Sequence, residues 1–243
     1  MMIVCIPSKG RPHTKTHLLF ENVGLTVYHF VEPQEVDLYK QKNIISIGKN
    51  NMGIGYSRKF IVNWAKENSH KYIIMCDDDI NHFGYAKDGK CIKSDANIFY
   101  EIYNYAQKLP FELYGLNFRQ FAWSEKNKYS INSKVFTAVY LIKVDKIKWE
   151  FNGKMKEDIQ FLFDCIKFGN GAMKFNHLFF DCPVVGTNKG GCFDAYQNKE
   201  DELVFTSILN KYKGFTKIIK KSNKLDIKWD VKGWAKYHKK TIK

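Results

Sequence analysis

Three consecutive carboxylates, Asp77-Asp78-Asp79, follow directly on the apolar run Tyr72-Ile73-Ile74-Met75-Cys76. A run of that kind reads as a buried strand, and in open α/β sheets ligands bind just beyond the carboxyl ends of the strands. Three adjacent carboxylates repel one another, so a compensating cation is expected among them. Hard oxygen donors suit Mg2+ or Mn2+, which can bridge two phosphates. Alternate residues of an extended segment face the same way, so Asp77 and Asp79 are expected to flank one site while Asp78 faces elsewhere. A solvated acidic turn is the plain alternative.

Positive groups suited to a phosphate lie nearby in the sequence. The chain has 36 lysines and only three arginines, Arg11, Arg58 and Arg119. This resembles the protein bias of an AT-rich genome, in which arginine is expected to survive where its bidentate fork is needed for an anion or carboxylate; chance survival is the plain alternative. Arg11 belongs to Ser8-Lys9-Gly10-Arg11-Pro12, directly after the opening apolar run. Arg58 and Lys59 follow Gly53-Ile54-Gly55 and are expected in the first turn of a helix, where the macrodipole disfavours cations unless an anion faces them. Gly186-Thr187-Asn188-Lys189-Gly190-Gly191 reads either as a loop whose N–H groups and Lys189 hold a pyrophosphate or as a flexible turn. Glu157-Asp158 opens a helix; carboxylates are favoured there whatever their role, and the functional alternative is a general base.

The elements that must position these groups are legible in outline. Residues 2–7, 25–31, 43–47, 72–76, 112–118 and 134–144 read as strands, and 171–185 as extended. Residues 33–41, 56–67, 94–109 and 157–168 read as helices, with Ser57 placed to cap the second and Gly169 ending the last. Lys87-Asp88-Gly89-Lys90 reads as a hairpin turn. Strands alternating with helices predict a largely parallel α/β sheet.

Composition bounds the rest. The chain has 243 residues, 44% of them hydrophobic, which excludes a disordered chain. Its net charge of +14 favours a polyanionic partner, and twelve lysines against Asp226 and Asp230 fall in residues 211–243. Lys228, Lys232, Lys236, Lys239 and Lys240 recur near helical spacing, so one basic helix face is expected, with Trp229 and Trp234 interleaved for stacking. The expected organisation is a catalytic domain over 1–210 and a basic extension over 211–243. Six scattered cysteines read as reduced thiols, and no stretch is apolar enough for a membrane span. With no signal peptide pattern at the start, a soluble cytoplasmic protein is expected.

The motifs PSKGR at Pro7 to Arg11, GYSRK at Gly55 to Lys59, CDDDI at Cys76 to Ile80 and KEDIQF at Lys156 to Phe161 together resemble the TET-associated glycosyltransferase family over roughly residues 1 to 195. Members of that family include bacteriophage enzymes that glycosylate hydroxymethylated pyrimidines in DNA. The resemblance implies a GT-A, Rossmann-like fold: a mixed, mostly parallel sheet flanked by helices. It implies a UDP-sugar donor held by Pro7, Ser8, Lys9, Arg11, Gly55, Arg58, Asp77, Asp78, Lys189 and Gly190. Asp79 and Asp77 would hold Mn2+ or Mg2+, with His177 or a water completing the shell. Asp158 would be the base of an inverting displacement, with Glu157 and Arg58 beside it.

The implied acceptor is 5-hydroxymethylcytosine or another hydroxymethylpyrimidine in double-stranded DNA, in the cytoplasm of a phage-infected host. Arg119 and Trp123 are expected to meet the acceptor base, Lys228 and Lys232 to hold phosphates, and Trp234 to stack. The competing expectations are a GT-A enzyme acting on lipopolysaccharide or capsule, its tail on an anionic membrane, and a non-catalytic nucleic-acid-binding module.

Overall fold

The computed structural model describes residues 1–133, 138–184, 187, 189–221 and 224–229. They form two compact units, Met1–Phe193 and a second that begins at Asp194.

The first unit is built on one ten-stranded sheet. Its strands are β1 (Met2–Pro7), β2 (Val27–Val31), β3 (Ile44–Ser46), β4 (Tyr72–Cys76), β5 (His82–Lys87), β6 (Lys90–Ser94), β7 (Leu113–Phe118), β8 (Tyr129–Ile131), β9 (Val139–Lys143) and β10 (Ala172–Asp181). The spatial order is β3-β2-β1-β4-β9-β7-β10-β5-β6, with β8 also paired to β10. β1, β2, β3 and β4 run parallel. β9 is antiparallel to both of its neighbours, so β7 regains the direction of β4 and β10 continues it. The carboxyl ends of β1, β4, β7 and β10 therefore lie along one edge. That edge collects the residues after Pro7, Cys76, Phe118 and Asp181. This is the mixed, Rossmann-like sheet flanked by helices that the sequence predicts.

The central strands are apolar without alternation because both faces are covered. Every residue of β1 and of β9 is buried. Phe20 of α1 (Thr16–Glu21) joins Val4, Ile6, Ile74 and Leu116 in one core cluster. α2 (Ile54–Glu67) follows and contacts β1 and β2. Phe99, Ile102 and Ala106 of α3 (Ile98–Lys108) belong to the same cluster as Phe20. α4 (Arg119–Ala122) rests on β5, β7 and β10, and α5 (Glu157–Phe168) packs on α2 and β10. The hairpin turn falls where predicted: Asp88 and Gly89 both have positive φ, 50° and 70°, as a two-residue turn between twisted strands requires.

Some local expectations are corrected. α2 begins at Ile54, not at Tyr56, and its cap is Gly53 at φ 84° with no side-chain cap bond. Glycine adopts that φ without a Cβ clash, so the chain enters the helix early and Ser57 lies inside it rather than capping it. Arg58 and Lys59 consequently sit in the second turn. α1 and β8 were not expected, being too short to show a period.

In the second unit, short helices Glu200–Leu203 and Phe205–Lys211 precede β11 (Thr216–Lys221) and β12 (Lys224–Trp229), which pair as an antiparallel ribbon. Lys228 is thus in a strand, and its place on a basic helix face is corrected. Lys232, Trp234, Lys236, Lys239 and Lys240 lie outside the described residues, as do 134–137, Gly186 and Asn188. Among the described residues no helix is long and apolar enough to cross a membrane.

Candidate active site

The acidic triple occupies the turn that leaves β4. The Asp77 N–H donates to the Ala138 carbonyl (2.8 Å), extending the β4–β9 ladder by one bond. Thr16, buried at the start of α1, fixes the turn from below. Its hydroxyl donates to the Asp78 carbonyl (2.7 Å) and accepts from the Ile80 N–H (3.0 Å). The three carboxylates then part. Asp78 is 4% exposed and accepts from the Ser8 hydroxyl (2.5 Å) and from Arg11 Nη1 (2.7 Å). The same Arg11 nitrogen reaches Asp79 Oδ2 at 3.0 Å. Asp77 instead meets Arg58 Nη2 at 2.7 Å. Burial pushes the Asp77 carboxyl up to about 7, with Arg58 pulling it back and Asp79 pushing it further.

Arg58 is buried at 4% exposure and also holds Glu157 Oε1 through Nη1 at 2.7 Å. It therefore ties the end of β4 to the start of α5. Glu157 is itself buried, and burial raises its carboxyl to about 8 against the pull of Arg58. Gly55 makes this junction possible. A Cβ there would collide with the carbonyl oxygen of Gly153, just ahead of α5, so the close approach at Gly55 is made by the chain itself. Asp158, the neighbour of Glu157, is partly exposed, and its Oδ1 accepts from the Ile159 N–H at 2.8 Å.

On the other side of the triple the loop after β1 is held open by polar partners. Glu32, 4% exposed, accepts from Lys9 Nζ (2.9 Å), the Asn51 N–H (2.9 Å) and Gln34 Nε2 (2.9 Å). Tyr39 pairs with Ser8 at 2.8 Å, and Glu35 accepts from the Gly10 N–H at 2.8 Å. Across this loop lies the glycine-rich segment. Arg11 Nε donates to the Lys189 carbonyl (2.8 Å), Arg11 Nη2 to the Gly190 carbonyl (3.3 Å), and the Gly191 N–H to the Lys9 carbonyl (3.0 Å). Gly190 has φ 87°, and a Cβ there would lie 2.9 Å from the Lys9 carbonyl oxygen. Only glycine lets the two loops touch in this way. Pro7 is the buried last residue of β1.

Further along the same edge, Asp181 at the end of β10 collects Asn81 Nδ2 (3.1 Å), Arg119 Nη1 (3.6 Å) and His82 Nδ1 (3.7 Å). Arg119, Phe121 and Trp123 are exposed there. His177 bonds the Lys128 carbonyl and faces Glu101, so its described partners are not the acidic triple.

The structure thus joins Ser8, Arg11, Asp78, Asp79, Lys189 and Gly190, with Lys9 beside them, in one set of contacts and Arg58, Asp77 and Glu157 in a second, the two meeting at the acidic turn. Lys228 belongs to the second unit. Sequence reasoning missed Glu32, Tyr39, Thr16 and Asp181. It also missed two thiols beside the triple: burial and the neighbouring Asp79 and Asp77 raise Cys182 to about 12, while burial and Glu157 raise Cys192 to about 11. None of these carries a spacing signal.

Among the described residues no group of three or more His, Cys, Asp and Glu side chains is arranged to hold a metal ion. The donor set at the edge, two partly exposed carboxylates on Asp77 and Asp79, fits an ion that takes one or two carboxylates and fills its shell with waters and phosphates.

A family model described as TET-Associated Glycosyltransferase matches residues 2–191. No curated protein matches the chain. Among solved structures, A197 from STIV is 11% identical with a TM-score of 0.49, covering 75% of this chain and 85% of that one. Glucosyl-3-phosphoglycerate synthase from Mycobacterium tuberculosis, solved with Mn2+, UDP and glucosyl-3-phosphoglycerate, is 9% identical with a TM-score of 0.49, covering 94% of this chain and 86% of that one. At these scores neither likeness assigns a ligand or a reaction to this chain.

Proposed function

The chain belongs to the TET-associated glycosyltransferase family, and on that premise we propose that it moves a sugar from a UDP-sugar to the hydroxymethyl group of a 5-hydroxymethylpyrimidine in DNA, 5-hydroxymethylcytosine first. The observation that carries this reading is that Asp79 meets Arg11, which also holds the Lys189–Gly190 backbone, while Asp77 meets Arg58, all at the carboxyl edge of the sheet.

Asp79 and Asp77 would hold Mn2+ or Mg2+, which when bound neutralises charge on the departing diphosphate. Arg11 is the donor-side cation in this reading. Its neighbours Asp78 and Asp79 already balance it, and its fork can turn from Asp79 to a phosphate oxygen. Lys9 extends the same positive wall. Arg58 has both terminal nitrogens committed to Asp77 and Glu157, so its part is to orient Asp77 rather than to touch the diphosphate. Asp158 takes the proton from the attacking hydroxyl, with Glu157 anchoring the turn that presents it. Arg119 and Trp123 lie at the acceptor side, where an extruded base would need a cation and a stacking face.

The test is incubation with duplexes carrying hydroxymethylcytosine, hydroxymethyluracil or neither, a panel of UDP-sugars and Mn2+, followed by nucleoside mass spectrometry. A hexose or pentose mass on one modified base is expected. No added mass from any donor overturns the reading.

A further inference from the structure

Asp181 closes β10 at the carboxyl edge, and its backbone is tied to the acidic turn. The Asn81 N–H, two residues past Asp79, donates to the Asp181 carbonyl at 2.8 Å. The thiol of the next residue, Cys182, is raised by burial and then by Asp79, Asp77 and Asp181, so these carboxylates share one neighbourhood. The Asp181 side chain is loosely engaged. Its Oδ2 accepts from Asn81 Nδ2 at 3.1 Å and faces His82 Nδ1 at 3.7 Å. Its Oδ1 faces Arg119 Nη1 at 3.6 Å, which is longer than a hydrogen bond. Among the described residues Oδ1 therefore has no hydrogen-bond donor, and a quarter of the side chain is open to solvent.

Arg119 is engaged as loosely. Arg11 and Arg58 each hold two carboxylates within 3.0 Å. The Arg119 guanidinium has only the 3.6 Å approach to Asp181 among the described residues, and half of the side chain is exposed. It opens α4, and Phe121 and Trp123 just after it are 43% and 56% exposed. The pair thus presents an unfilled acceptor beside an unfilled fork of donors.

A flipped base is read by hydrogen bonds to its Watson–Crick edge and by stacking on aromatic or apolar side chains. The cytosine edge runs donor, acceptor, acceptor, from the N4 amine through N3 to O2. A carboxylate accepts from that amine, and a guanidinium fork matches the two acceptors. The uracil edge begins with the acceptor O4, which repels a carboxylate, and follows with a donor at N3, which repels a guanidinium. The 5-hydroxymethyl group is bonded next to the carbon that bears N4. An amine on Asp181 therefore sets the hydroxyl beside it, matching the place of Asp181 next to the acidic turn.

We propose that Asp181 and Arg119 form the base-reading subsite of this chain, Asp181 accepting from the exocyclic amine and Arg119 donating to N3 and O2, and that the pair selects 5-hydroxymethylcytosine over 5-hydroxymethyluracil. This deepens the reading of a hydroxymethylpyrimidine in DNA as the acceptor and rests on it.

Binding of the full chain is measured by fluorescence anisotropy, without donor, on 20-base-pair duplexes carrying one hydroxymethylcytosine or one hydroxymethyluracil. Each modified base is set opposite thymine, because a mismatched base is extruded at least cost. The wild type is expected to prefer hydroxymethylcytosine about tenfold, the scale of one correct base contact. Asp181→Asn, whose amide can donate to O4, is expected to bring the ratio to one or below. Arg119→Gln changes a side chain with no hydrogen bond to lose, and is expected to lower the same ratio with the melting temperature unchanged. A ratio unchanged in either variant, which is what an equal loss on both bases from a purely structural role gives, overturns the proposal. So does a wild type without preference. Nucleoside mass spectrometry on the same duplexes, with the UDP-sugar panel and Mn2+, separates the two readings. If neither base gains a sugar while the Asp181-dependent preference persists, the transfer reading falls and the subsite stands. If both bases gain sugar at equal rates in the wild type and in Asp181→Asn, the subsite falls and the transfer reading stands.

Discussion

Arg58 and Arg11 each bridge two carboxylates at the same edge of the sheet, in opposite surroundings. Arg58 and its partner Glu157 are both almost completely buried, and each joins an element from a different part of the chain. Arg11 is partly exposed, shares one nitrogen between Asp78 and Asp79, and gives its other donors to loop carbonyls. Removing one member of a buried pair strands the other charge away from water, whereas a partly solvated pair is screened. The same residue type is therefore a fixed brace in one place and an exchangeable contact in the other. The acidic triple is divided between them: Asp77 belongs to the brace, and Asp78 and Asp79 belong to the exchangeable side.

The strongest test of that division is Arg58→Met. It leaves Asp77 and Glu157 unpaired and is expected to cost about 3–5 kcal/mol, read as a fall of roughly 10 °C in the melting temperature by circular dichroism. Adding Glu157→Gln should recover part of the loss. If Arg58→Met melts with wild type, Arg58 is not a brace.

Asp79→Ala probes the exchangeable side. It is expected to reduce sugar transfer by on the order of a hundredfold to a thousandfold, the scale of a lost transition-state electrostatic contact. The melting temperature should shift by only a few degrees. A variant that unfolds instead would put Asp79 with the brace.

An acid titration sharpens the comparison by removing a bystander. His29 is 1% exposed, and burial together with His17 holds its imidazole down at about 4, below the ordinary 6.5. Between pH 6.5 and 4 the unfolded chain binds that proton and the folded chain does not. Stability from His29 is thus complete above pH 6.5 and falls as pH drops, by up to about 3 kcal/mol. Melting curves at pH 7 and pH 5 should show this loss, and His29→Leu should flatten it. A slope unchanged in His29→Leu would assign the acid sensitivity to the carboxylates around the two arginines.

The smallest effect is expected at the loop contact. Gly190→Ala at φ 87° must strain the backbone and press on the Lys9 carbonyl, at a cost of about 1–2 kcal/mol. The stabilisation given by UDP with Mn2+ in a thermal shift assay should shrink with it. An undiminished shift would detach the glycine-rich segment from the donor side.

Much of this was legible beforehand. β1 and β4 announce themselves because strands covered on both faces are continuous apolar runs with abrupt stops, at Pro7-Ser8 and at Asp77. The rarity of arginine singled out Arg11 and Arg58. Their partners were not legible. Arg58 meets Glu157 across 99 positions, and Arg11 meets Gly190 across 179. The close approach of Gly153 to Gly55 carries no local signal. Lys228 was expected to open a basic helix face because its spacing to Lys232 and Lys236 is helical, but it lies in β12, paired with Lys217 of β11.

By itself, then, the sequence determined the central strands of the sheet, the acidic turn at its edge and the two arginines able to serve it, because local pattern and residue chemistry are properties of neighbours along the chain. Only the tertiary structure decided which carboxylate each arginine holds, and which of the two is buried, because charge, desolvation and hydrogen bonding depend on distances that the chain closes only when it folds.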